Sequence, residues 1–109
     1  MLDADAMPCT ARETALLLVA ERGGGDLRHH RTVIMERFPS LTFLAATELL
    51  EEAERVRGAA FAVGARAARG ETDAATAQEE LAARWPEVPP ATLAKMIADG
   101  EAGELRRIR

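Results

Sequence analysis

Ala20–Leu41 reads AERGGGDLRHHRTVIMERFPSL, and Ala67–Val88, 47 positions later, reads AARGETDAATAQEELAARWPEV. The two align without a gap. Ala20 meets Ala67, Arg22 meets Arg69, Gly23 meets Gly70, Asp26 meets Asp73, Arg37 meets Arg84 and Pro39 meets Pro86, while Ile34, Phe38 and Leu41 face Leu81, Trp85 and Val88. These are residues that stop, cap and anchor helices, so the echo falls where a fold is specified. The pattern predicts an all-α chain of about five helices, built as two tandem helical units with a period of 47 that share a long central helix. Unit one covers residues 11–56 and unit two residues 59–103 of a single domain over 1–109, with 1–9 and 104–109 as flexible ends.

The local signals on either side agree. Thr10 followed three residues later by Glu13 has the form of a capping box and predicts a first helix over Ala11 to Arg22, stopped by Gly23-Gly24-Gly25. Asp26 caps a second helix over Leu27 to Arg37, which Pro39 ends by pushing the preceding residue out of the helical region. Ser40 or Thr42 caps a third, spanning Thr42 to Arg69, in which Leu49, Ala53, Val56, Ala60, Val63 and Ala67 recur in steps of four and three. Gly58 and Gly64 interrupt its propensity and suit a close helix approach; Gly58 is where a break would come. Gly70 and Asp73 repeat the stop and the cap ahead of a fourth helix, Ala74 to Arg84. Pro89 and Pro90 open a short fifth helix with Gly100 just past its end, and the tail Glu101 to Arg109 frays or adds one helical turn. The expected core anchors are Leu16, Val19, Ile34, Phe38, Leu49, Val63, Leu81, Trp85, Met96 and Ile97.

Composition bounds the function. The chain has 109 residues, enough for one modest core, and its four aromatics and absent tyrosine favour helices packed through small side chains over a β-sandwich. A formal charge of −4 argues against a coat for phosphate backbones. Cys9 is the single cysteine, so an intramolecular disulfide and a zinc finger are both ruled out. With no apolar run near the roughly 20 residues of a membrane span, and Asp3 and Asp5 in place of a basic leader, the reading is a soluble cytoplasmic protein.

No catalytic constellation stands out. His29 and His30 project in different directions around one helix, and Arg28 and Arg31 beside them repel a cation; no metal and no cofactor is expected. Cys9 and Ser40 have no base placed beside them by a motif, and the triple glycine lacks the lysine of a phosphate-binding loop, so the chain reads as a non-enzyme. Two binding readings remain. In the first the chain is a protein-protein interaction module, an adaptor, assembly subunit or inhibitor of a larger machine, of a kind met in phage-like systems. Its binding residues would be a basic patch, Arg28, His29, Arg31 and Arg37, and an acidic one, Glu48, Glu51 and Glu52. The alternative is a helix-turn-helix-like nucleic-acid binder that uses the basic second helix; the acidic third helix, where base contacts would lie, counts against it. Self-association through Leu49, Ala53, Val56, Ala60 and Val63 is weighed against internal packing of the same residues, and internal packing is favoured.

Overall fold

A computed structural model describes residues 10–22 and 27–108. Among these residues the chain is all-α, with five helices: α1 (Ala11–Arg22), α2 (Leu27–Arg37), α3 (Phe43–Ala68), α4 (Ala74–Arg84) and α5 (Pro90–Ile108). The triple-glycine stop, the Asp26 cap, Cys9 and the segment 1–9 lie outside the described residues. None of the described helices is long and apolar enough to cross a membrane. The chain divides into two compact units, Met1–Glu54 and Arg55–Arg109, with the division inside α3.

In the first unit the capping box forms as the sequence predicts: Glu13 N–H donates to Thr10 Oγ1 (3.2 Å) and Thr10 N–H donates to Glu13 Oε1 (2.9 Å). Helix α1 packs on α2. Ala15, Leu16, Val19 and Ala20 of α1 are buried, as are Ile34 and His30 of α2 and Ala46, Leu50 and Ala53 of α3. Each of the larger apolar side chains contributes about 1.5–3 kcal/mol by leaving water. Of the two cap residues considered for α3, Thr42 serves, its Oγ1 accepting from Ala45 N–H at 3.0 Å.

The second unit is organised around a close helix crossing. Gly64 of α3 lies against the backbone of α5 at Ile97, Gly100 and Glu101, and Gly100 lies against the backbone of Phe61, so that a Cβ at Gly100 would sit 2.5 Å from the Phe61 carbonyl oxygen. This crossing corrects the expected end of α5. Gly100 is the place where two backbones meet, and the helix runs through it to Ile108, with Arg106 and Arg107 in its last turn complementing the helix dipole. The segment 104–109, expected to be a flexible end or one further helical turn, is helical as far as residue 108. Gly70 does end a helix. Its φ of 78° is left-handed, Glu71 N–H donates to Arg66 C=O (2.9 Å) and Gly70 N–H to Ala67 C=O (3.0 Å), the paired bonds of a Schellman closure. Asp73 then caps α4 by accepting from Thr76 N–H at 3.1 Å. Helix α4 packs on α5, and Gln78 Nε2 donates to the Pro90 carbonyl at 3.3 Å.

Helix α3 does not break at Gly58, which is exposed and has open space around it. Its buried stripe is Ala46, Leu50, Ala53, Val56, Ala60 and Gly64, turned slightly from the expected seam, so that Leu50 takes the place assigned to Leu49. Leu49 and Val63 are half-buried, as are Phe38 and Trp85 at the helix ends. Ala53, Val56 and Ala60 are buried within the chain, as the favoured internal packing of that seam expects.

Some helix bounds and turns recur at the 47-residue offset, which does not by itself make the chain two tandem repeats. Helices α2 and α4 begin and end 47 residues apart, as do the starts of α3 and α5. Phe38 N–H to Ile34 C=O and Leu41 N–H to Phe38 C=O recur as Trp85 N–H to Leu81 C=O and Val88 N–H to Trp85 C=O. Burial does not follow throughout: Val19 is buried, whereas Arg66, its counterpart, is exposed. The correspondence thus covers α2, the turn and the helix start beyond it.

The glycines separate by role. Gly100→Ala or Gly64→Ala should cost about 1–3 kcal/mol or more, because a methyl group there displaces backbone, whereas Gly58→Ala should be neutral or stabilise by up to about 1 kcal/mol through helix propensity. Chemical unfolding of the three variants measures the contrast; equal effects at all three positions would contradict the crossing.

Candidate functional site

The α2–α3 connection builds the most exposed apolar surface of the first unit. The turn at Phe38–Leu41 and the Thr42 cap set the direction of α3, whose first two residues are Phe43 and Leu44. Both are large, apolar and solvent-facing, Phe43 59% and Leu44 66% exposed. Leu44 lies on the side of α3 away from its buried stripe, while Phe43 is in phase with that stripe, three residues before Ala46 and seven before Leu50, and is exposed at the helix start.

Arg31 connects this surface to α2. Its guanidinium carbon stands 4.0 Å from the centre of the Phe43 ring, and Nη1 donates to Thr47 Oγ1 at 3.4 Å. Thr47 Oγ1 in turn donates to the Phe43 carbonyl at 2.9 Å. The cation over the ring face is worth about 0.5–1 kcal/mol at such a half-exposed place. It also holds the guanidinium over the ring.

The seven binding residues expected from sequence do not form two patches. Arg28 is exposed and shares an edge of α2 with Arg31. Arg37 is exposed but lies about 120° around the helix from Arg31, and His29 lies about 160° from Arg31. His30 is buried, 1% exposed, with its ring centre 6.1 Å from that of His29. Glu48 and Glu51 are exposed and share the face of α3 that carries Leu44, at i+4 and i+7 from it. Glu52 leaves that group: it is half-buried and its Oε1 pairs with Arg12 Nε of α1 at 3.3 Å. The site that remains is Arg28 and Arg31 on one flank, Phe43 and Leu44 at the centre, and Glu48 and Glu51 beyond. Among the described residues, none of these four charged side chains is in an ion pair. The sequence signal was present: two adjacent large apolar residues just after a cap, of which Leu44 is out of phase with the stripe that follows.

A second polar cluster, unanticipated from sequence, lies in the second unit. Glu104, only 7% exposed, accepts from Arg69 Nη1 (2.8 Å) and from Arg107 Nη2 (2.7 Å) and Nε (3.0 Å). Arg69 Nε also donates to Glu71 at 2.7 Å, and Arg66 stands 3.9 Å from Glu71. The Arg107 and Arg69 hydrogen bonds hold the Glu104 carboxyl down from 4.5 to about 2. Glu71 is likewise lowered, chiefly by Arg69, and Arg69 and Arg107 are raised by their carboxylate partners. Every charge in the cluster meets an opposite one, so its chemistry is that of a tether joining α5 to the end of α3.

Because the Glu104 pKa is depressed in the fold, its contribution is complete above the ordinary carboxylate value of 4.5 and is lost as pH falls toward about 2. Unfolding of the wild type should therefore weaken over that window more steeply than that of Glu104→Gln, which should be less stable near neutral pH. Denaturant titrations across the window compare the two slopes, and parallel curves would remove Glu104 from the acid response.

With the geometry in view, no protein-family model, no curated protein and no solved structure is found to match this chain.

Proposed function

We propose that the chain is a non-catalytic protein-protein interaction module, an adaptor, assembly subunit or inhibitor within a larger assembly, and that its binding surface is the α2–α3 face of the first unit. The observation that carries this reading is the adjacent exposure of Phe43 and Leu44 beside a prepositioned Arg31. Exposed large apolar residues rimmed by charge are a mark of protein contact surfaces, where aromatic and arginine side chains supply most of the binding energy. Holding Arg31 against Phe43 lowers the entropy lost on association, since that side chain is already ordered. Of the residues expected from sequence, Arg28, Arg31, Glu48 and Glu51 belong to this surface. His29, Arg37 and Glu52 fall outside it.

The nucleic-acid reading gains less. Phosphate contacts need clustered cations, yet Glu48 and Glu51 lie on the same face as Leu44 and would repel a backbone drawn toward Arg28 and Arg31.

Affinity purification with and without nuclease distinguishes the two. Protein should be recovered with the chain in nuclease-resistant form, and Leu44→Asp should reduce that recovery about tenfold, the loss of roughly 1.4 kcal/mol of contact energy. Recovery of nucleic acid instead, abolished by Arg28→Glu/Arg31→Glu and weakened steeply by salt, would replace this reading with the other.

A further inference from the structure

We infer that the α2–α3 face pairs with a second copy of this chain, in a two-fold symmetric contact centred on Phe43 and Leu44. The inference rests on the reading of that face as a protein-binding surface and names its partner.

The argument is one of charge complementarity. Arg31, with Arg28 on the same edge of α2, stands on the Phe43 side of the apolar centre, while Glu48 follows Leu44 by one turn on the other side. Around α3, Phe43 and Leu44 are separated by about 100°, and Glu48 lies about 40° further in the same sense. With Glu48 as the acidic edge, and Glu51 two turns along the helix in the direction of Leu44, the order across the surface is basic, apolar, acidic. A surface with this order is self-complementary: a two-fold axis parallel to α3 brings the arginine flank of one protomer over the glutamate flank of its partner, twice, and apolar centre over apolar centre. The arginines and glutamates on this face have no ion-pair partners within the described chain, whereas in the second unit Arg69, Glu71, Glu104 and Arg107 are paired with one another. A surface that carries both signs at its two flanks, with an apolar centre between them, is satisfied in one step by its own copy. A partner with a single sign of charge would satisfy one flank and be repelled by the other.

The buried seam of α3 takes no part. Ala53, Val56 and Ala60 are already covered within the chain. The contact uses the face that α3 leaves open.

The full chain would be tested by sedimentation over a wide concentration range. Wild type should pass from the mass of one chain to twice that mass as concentration rises. Leu44→Asp should raise the dimer dissociation constant at least about tenfold; the acidic residue suits the first turn of a helix, so the fold should persist. Arg28→Glu/Arg31→Glu and Glu48→Arg/Glu51→Arg should each be monomeric alone, with helical circular dichroism unchanged. Mixed in equal amounts, they should form a one-to-one complex, because each then presents to the other the flanks it lacks. Failure of the mixture to associate, or a dimer insensitive to Leu44→Asp, would overturn the inference. A wild type that stays monomeric while purification recovers a different protein through Leu44 would overturn self-pairing and leave the face a binding surface. A monomer with no protein recovered would sink both.

Discussion

Among the described residues six of the sixteen buried apolar side chains are alanine, each yielding little transfer energy, so these positions gain contact only where helices approach closely. Ala15, Ala20, Ala46 and Ala53 are buried in the first unit beside the larger buried residues Ile34 and Leu50, and Ala60 and Ala77 in the second beside Leu93 and Met96. The limit of this trend is the crossing of α3 and α5, where Gly64 and Gly100 remove side chains altogether and the backbones touch. There dispersion between main-chain atoms replaces the burial of large groups, and tolerance for added volume vanishes. The course of α5 beyond Gly100, and hence the placing of Glu104 against Arg69, follows from that contact.

Local hydrogen bonds set where each helix starts and stops. The Thr10–Glu13 box, the Thr42 and Asp73 caps, the aromatic-proline turns at Phe38 and Trp85 and the Gly70 closure each satisfy backbone groups that a helix end leaves unpaired. These devices act within a few residues of chain, and of them the turns at Phe38 and Trp85 recur at the offset of 47. Side-chain burial answers to neighbours from elsewhere in the chain, and at Val19 and Arg66 the correspondence stops.

Charge is used differently in the two units. In the second, Glu104 gathers Arg69 and Arg107, and Lys95 pairs with Asp99 one turn away, so much of its charge is spent on holding helices. In the first, Arg12 and Glu52 are paired, while Arg28, Glu48 and Glu51 stand in solvent around Phe43 and Leu44. Solvated charges around exposed apolar groups offer energy to an incoming surface that internally paired charges cannot, because no existing bond has to be broken first.

The class of fold and the bounds of α1, α2 and α4 were legible residue by residue, since caps, prolines and glycines act on their immediate neighbours and leave a short-range signature. The basic and acidic residues of the first unit were legible as charges, and Arg28, Arg31, Glu48 and Glu51 were named from them. Their grouping was not, because Glu52 turns toward Arg12, Arg37 lies on another side of α2, and Arg31 is held by a ring that follows it by twelve positions. The length of α5 escaped for the same reason. A glycine that ends a helix and one that admits a neighbouring backbone are identical in one dimension; Gly70 and Gly100 differ in what packs beside them, and that depends on long-range packing, which local pattern does not encode.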